Sequence, residues 1–148
     1  MAKFIVKADL SAKTFKALTD IHQYSESTQQ ELRRVVHDKT QEVYEVAVHN
    51  APYRTGRLRA SIRMDVKGAM GTVYTNYPIA HLIEYGAKGA VVIPVRRKAL
   101  HPGADGWFMA KAVIPYRAAK PFLKPAMDKV RPSIESAIKE AITKHAKT

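Results

Sequence analysis

The sequence predicts an α+β protein in which a long N-terminal amphipathic helix and a C-terminal helix pack on a small antiparallel sheet of three to four strands. Two stretches near the ends repeat apolar residues at helical spacing, and the segments between them alternate apolar and polar residues around a glycine-rich turn. At 148 residues the chain has the length of one domain, and we predict a single domain over residues 1–148.

The N-terminal third contains the clearest element. Residues 1–24 predict a strand at Lys3–Lys7 and a short helix. Residues 25–50 predict the long helix, which Ser25 or Ser27 can cap and Pro52 ends. Its apolar face follows the i, i+3, i+4, i+7 pattern through Leu32, Val35, Val36, Lys39, Val43, Val46, Ala47 and Asn50.

Residues 58–116 predict the sheet. Segments 61–66 and 72–77 alternate with period two around a turn at 68–71, which indicates a hairpin. Pro78 and Gly86 then bound a short helix. Residues 86–106 predict a long mobile loop with a short strand at 91–93, and residues 107–114 are expected to return to the sheet.

Residues 121–146 predict the C-terminal helix. One apolar stripe runs along it, and Pro132 is expected to kink or restart it. The members of the stripe are Ala126, Val130, Ile134, Ala137, Ile138, Ala141 and Ile142.

Charge is distributed unevenly. Residues 1–50 contain seven basic and seven acidic residues, so the net charge of +12 comes entirely from residues 51–148. Such an excess indicates either a nucleic-acid surface or a basic face that meets an acidic protein. No apolar run is long enough to span a bilayer and no secretion signal is evident, so we expect a soluble protein made in a cytoplasm, without membrane contact.

Catalytic and metal-binding patterns are weak. The chain has no cysteine, serine-nucleophile motif or phosphate-binding glycine loop. His81 and Glu84 have a spacing seen in metal sites, but no third ligand accompanies them. We therefore expect no enzyme activity, no metal and no cofactor.

Three strings of residues carry a family resemblance. The first is Ala51-Pro52-Tyr53-Arg54-Thr55-Gly56-Arg57-Leu58-Arg59-Ala60-Ser61-Ile62, the second is Tyr77-Pro78-Ile79-Ala80-His81-Leu82-Ile83-Glu84-Tyr85-Gly86, and the third is Pro121-Phe122-Leu123-Lys124-Pro125-Ala126. In this order they resemble the neck or minor tail component family (head–tail joining proteins) of long-tailed bacteriophages, over about residues 25–145. The chain departs from that pattern where Pro78 and Ile79 separate the tyrosine from Ala80.

The resemblance implies a structural protein of phage assembly and no catalysis. It implies a ring of identical subunits, expected to be a hexamer, at the head–tail junction as a neck, stopper or tail completion protein. The expected partners are adjacent head-connector or tail proteins, and the expected location is the virion, after assembly in the host cytoplasm.

Ten residues are candidates for contacts with partners. Arg54, Arg57, Arg59 and Arg63 lie around a turn permitted by Gly56, where they either remain solvated or pair with carboxylates of a neighbouring subunit. Glu84 could pair with such an arginine, or it could instead cap or satisfy the local loop, and Tyr85 could anchor an interface. Lys88, Arg96, Arg97 and Lys98 could dock an acidic ring or touch DNA that passes through the ring. A non-specific DNA-binding protein that uses residues 88–124 is the alternative function.

Overall fold

The fold consists of two long helices, three short ones and two antiparallel sheets, described from a computed structural model of the chain. The structure describes residues 4–5, 12–95 and 110–146. The elements are β1 (Phe4–Ile5), α1 (Ala12–Thr19), a 3₁₀ turn (Ile21–Gln23), α2 (Glu26–Asn50), α3 (Arg57–Ser61), β2 (Ile62–Lys67), β3 (Met70–Thr75), α4 (Ala80–Tyr85), β4 (Ala90–Val92), β5 (Ala112–Ile114) and α5 (Leu123–Ala146). The predicted α+β class with long N- and C-terminal helices is confirmed.

Helix α2 begins at a capping serine and ends before a proline, as its sequence predicts. Ser25 is the N-cap and its hydroxyl accepts a hydrogen bond from the Thr28 backbone N–H. The buried positions recur every three or four residues and form the face toward the core: Thr28, Leu32, Val36, Thr40, Val43 and Ala47. The predicted stripe included Lys39, but the adjacent Thr40 is the buried residue, and its hydroxyl donates to the Val36 carbonyl at 2.6 Å.

The three-stranded sheet has the order β1-β3-β2 and is antiparallel throughout. The predicted hairpin is present, with Ile62 opposite Thr75 and Lys67 opposite Met70. Helix α2 packs on β2 and β3, and the most extensive contact of α5 is with α2. Gly71 in β3 allows this close approach, because a Cβ at that position would overlap the Thr40 side chain.

The main core lies where α2, the hairpin and the first half of α5 meet. Its fully buried side chains include Ile62, Phe122 and Val130. A second, smaller cluster joins Ile21, Leu32 and Ile138 where the 3₁₀ turn meets the two long helices. The stripe predicted for α5 therefore supplies both clusters, and α5 continues through Pro132 as one helix.

The second sheet corrects one expectation. Residues 112–114 were expected to return to the main sheet, but they pair with β4, with Val91 opposite Val113. Strand β4 lies within the predicted loop 86–106, close to the short strand expected at 91–93. The remainder of that loop, from residue 96, lies outside the described residues.

Candidate functional site

The candidate site begins at the junction between α4 and α5, where Glu84 receives the N-terminus of α5. Glu84 is 2% exposed, and its carboxylate accepts three backbone hydrogen bonds. The N–H groups of Phe122 and Leu123 donate to Oε2 at 2.8 and 3.1 Å, and that of Lys124 donates to Oε1 at 2.8 Å. Pro125, the next residue, has no N–H to satisfy. One side chain thus satisfies all the unpaired N–H groups at this helix end.

The local sequence explains why the cap comes from a distant residue. The residue before α5 is Phe122, whose side chain is apolar and cannot accept a hydrogen bond. Glu84 lies 38 residues earlier in the chain and supplies the acceptor instead. Its negative charge also suits the positive end of the helix dipole. Of the two alternatives left open for Glu84, the structure therefore contains the intramolecular one, and no ion pair among the described residues joins it to an arginine.

Further backbone contacts hold the chain beside this junction. The Lys120 N–H donates to the Ile83 carbonyl at 2.8 Å, and Ala87 and Arg117 exchange two hydrogen bonds of 2.9 and 2.8 Å. Gly86, with φ of 77° and ψ of 176°, packs so closely that a Cβ would lie 2.8 Å from the Arg117 carbonyl oxygen. The second and third strings of the sequence pattern are therefore in direct contact.

Strands β4 and β5 project from this junction as a two-stranded ribbon, residues 87–95 and 110–117. Its large hydrophobic side chains are exposed, including Val91 at 63% and Val113 at 67%. The described residues of 86–95 and 110–127 contain no Asp or Glu, and their five basic residues are Lys88, Lys111, Arg117, Lys120 and Lys124. Arg96, Arg97 and Lys98 lie outside the described residues.

The four candidate arginines around α3 form an arginine corner: Arg54, Arg57, Arg59 and Arg63. Gly56 precedes α3 with φ of 77°, a left-handed conformation that favours glycine. The neighbouring Leu58 and Ile62 are buried, so the corner rests on the core.

The four arginines differ in what they contact. Arg59 is half-buried; its Nε donates to the Ala51 carbonyl at 2.8 Å, and its guanidinium lies 5.4 Å from the centre of the Tyr53 ring. Arg63 donates to the Ala60 carbonyl at 2.6 Å. Arg54 and Arg57 are exposed and form no hydrogen bond or ion pair with the residues that the structure describes. These two are therefore available to a partner, whereas Arg59 ties the end of α2 to α3.

The surface of α4 contributes Tyr85, which is 65% exposed, and His81, which is also exposed. Within the described ranges, no group of three or more His, Asp and Glu residues is placed to hold a metal ion. None of the helices in that part of the chain is both long and apolar enough to span a membrane. The described residues thus include two exposed surfaces, the arginine corner and the ribbon.

The sequence model of the HK97-gp10-like family, described as "Bacteriophage HK97-gp10, putative tail-component", matches residues 15–86, just under half of the chain. The predicted resemblance to tail components of phages is confirmed over this range, which contains the first two motif strings and ends at Gly86. The similarity supports a structural role in a phage tail and suggests a protein without catalysis. Comparison with curated proteins and with solved structures gives no match.

Proposed function

From the similarity of residues 15–86 to bacteriophage tail components, we propose that this chain is a virion protein that forms an oligomeric ring at the head–tail junction. The role is that of a neck, stopper or tail completion protein, with six subunits in the ring and with head-connector or tail proteins as neighbours. Assembly takes place in the host cytoplasm. The observation that carries the proposal beyond the family similarity is the exposed pair Arg54 and Arg57 on a corner fixed to the core.

A ring of identical subunits closes through head-to-tail contacts, so each subunit must present two different surfaces that fit each other. The arginine corner supplies one surface, because Arg54 and Arg57 can each form bidentate pairs with carboxylates. Asp38 and Glu45 supply suitable carboxylates: both are exposed and lie seven residues, or about two turns, apart on α2. We assign the interface to these two surfaces, with Tyr85 of α4 as a further exposed contact.

The test is a double charge reversal, Arg54→Glu with Arg57→Glu, in the full chain. The control is Lys139→Glu with Lys144→Glu, which makes the same change in net charge at exposed positions of α5. Because like charges at an interface repel, we expect the arginine variant to weaken self-association at least ten-fold while the control assembles normally. Light scattering over a concentration series and electron microscopy of the particles measure this.

One result would refute the ring: a chain that stays monomeric at all concentrations, both alone and with head-connector or tail-tube protein. A ring that forms equally well with the arginine variant and the control would refute the arginine corner as the interface, while leaving the ring itself in place. Unchanged thermal unfolding of the arginine variant is the check that a loss of assembly is not a loss of folding.

Non-specific DNA binding through residues 88–124 is the second candidate function. It is favoured by the composition of the described parts of this segment, which contain five basic residues and no Asp or Glu up to residue 124. If all five contact phosphates, log K against log salt concentration should have a slope of about −4 to −5. A mobility-shift series with a random 30-base-pair duplex measures that slope. A slope near −1 would contradict binding by this surface.

A further inference from the structure

Among the residues that the structure describes, no other element covers the side chains of the ribbon formed by β4 and β5. In an antiparallel pair, residues directly opposite each other share a face, so Val91 and Val113 lie together on one face. Val92 and Ile114 lie on the other face and are 37% and 44% exposed. Both faces of the ribbon are therefore apolar, and both are at least partly accessible.

The ribbon receives little support from the rest of the fold. Strands β4 and β5 pack extensively only on each other among the described elements. An isolated two-stranded hairpin is marginally stable in water. The hydrogen bonds between Ala87 and Arg117 at the base of the ribbon therefore contribute much of what keeps the two strands in place. A ribbon that is held at its base and exposed along its length has the form of a docking arm.

The exposed apolar area is large enough to define an interaction site. Beyond the strands, Ile93, Val95 and Tyr116 are 62%, 92% and 73% exposed. Together with the strand residues they leave on the order of 500 Å² of apolar surface accessible. This area is divided between the two faces of the ribbon, and exposed apolar surface of about a few hundred Å² in one region of a soluble monomer commonly marks a binding site.

The charge of the ribbon distinguishes between three possible binding partners: a second copy of the ribbon, DNA and a different protein. Lys88, Lys111 and Arg117 border the ribbon, and no carboxylate lies in the described parts of 86–127. A second ribbon would bring like charges together across the interface, and their repulsion disfavours that pairing. DNA would satisfy the basic residues but would leave the valines and isoleucines exposed, because phosphate contacts come from Lys, Arg and polar groups. A protein surface that combines an apolar patch with carboxylates satisfies both features.

We infer that the β4–β5 ribbon is the arm by which this chain docks a different protein of the virion, one that presents an apolar patch rimmed by Asp and Glu. This inference rests on the proposed function for the location of the partner, and it assigns the ribbon and the arginine corner to different contacts. The corner joins copies of the chain to each other, and the ribbon joins them to the next protein.

The absence of cysteine from the chain gives a direct test, because one introduced thiol is a unique attachment point. Tyr116→Cys, labelled with a benzophenone maleimide, places a photo-cross-linker near the base of the ribbon, at an exposed position of its surface, and leaves Val91 and Val113 intact. The full chain is irradiated during assembly with the purified head-connector and tail proteins of the same phage and a random DNA duplex. Mass spectrometry then identifies the product. The inference expects a cross-link to one of those proteins at a surface rich in Asp and Glu.

Affinity measurements on two pairs of variants test whether the apolar and the basic residues of the ribbon both contribute to binding. Val91→Thr with Val113→Thr keeps the β-branched shape but adds hydroxyls, and we expect it to weaken binding to the cross-linked protein at least ten-fold. Lys88→Gln with Lys111→Gln should weaken the same binding and lower its salt dependence. Met70→Thr, at an exposed apolar position of β3, and Lys139→Gln on α5 are the matched controls and should leave it unchanged.

Four outcomes would overturn the inference: a cross-link to a second copy, a cross-link to DNA, no cross-link when the ring has formed, or equal affinities for ribbon and control variants. The ribbon variants should still form rings of normal size. Rings that form without ribbon-dependent docking refute this inference alone, whereas ribbon-dependent docking by a chain that never forms a ring refutes the proposed function alone.

Discussion

Replacing Glu84 by glutamine would keep the size of the buried side chain while removing its charge and one acceptor oxygen. In the native chain one carboxylate oxygen accepts from Phe122 and Leu123 and the other accepts from Lys124. An amide has only one oxygen, and its NH₂ group faces the remaining N–H as a second donor. Whichever way the amide is oriented, at least one N–H of the α5 terminus loses its acceptor.

The cost can be estimated from these three bonds. A hydrogen bond to a charged group contributes about 1.5–3 kcal/mol, and the two bonds that glutamine retains lose their charge assistance. We therefore expect Glu84→Gln to lower the free energy of unfolding by about 3 kcal/mol. Glu84→Ala, which removes all three bonds, should lower it by about 5 kcal/mol. Glu140→Gln, an exposed change on α5, should cost less than about 0.5 kcal/mol.

Urea unfolding gives the free energies, and hydrogen exchange locates the effect. The amides of Phe122, Leu123 and Lys124 should exchange faster in Glu84→Gln, whereas amides in the middle of α2 should change only as far as global stability does. If Glu84→Gln unfolds at the same urea concentration as Glu140→Gln and the three amides keep their protection, Glu84 is not the cap on which α5 depends.

Two further predictions concern the core and the arginine corner. Gly71→Ala should destabilise the fold by about 3 kcal/mol because the new methyl group overlaps the Thr40 side chain. Thr40→Ala in the same chain should recover part of that loss of stability. Additive losses in a double-mutant cycle would contradict the contact between the two residues. Arg59→Ala should lower the free energy of unfolding by about 1–2 kcal/mol, because it removes the hydrogen bond to the Ala51 carbonyl. Arg57→Ala, at an exposed position, should lower it by less than about 0.5 kcal/mol. Equal urea midpoints for the two variants would refute the difference in their roles.

The sequence predicts those elements whose signals are local. Helix α2 has a serine cap, helical spacing of its core face and a proline after its end, and these features define it within one residue of its observed start. The β2–β3 hairpin follows in the same way from alternation around a glycine turn. Helix α3 was not predicted, because Arg57–Ser61 has only five residues and too few positions to establish a period.

Long-range partners are harder to predict. The sequence indicates a strand within residues 107–114 but does not determine whether that strand pairs with β2, β3 or β4, because the pairing depends on the path of the connecting chain. The sequence does contain a feature that points to the capping role of Glu84. A helix that begins Phe122-Leu123-Lys124-Pro125 has no local capping side chain, so its N–H groups require an acceptor from elsewhere.

The junction also explains why the second and third motif strings occur together in one chain. Glu84 of the second string accepts hydrogen bonds from the N–H groups of Phe122 and Lys124 of the third, so the two strings form one structural unit. The same contacts lie at the base of the β4–β5 ribbon, through the pairing of Ala87 with Arg117. A change that loosens the cap of α5 would therefore also loosen the base of the ribbon. In that way the buried carboxylate of Glu84 can govern how firmly the base of the ribbon is held.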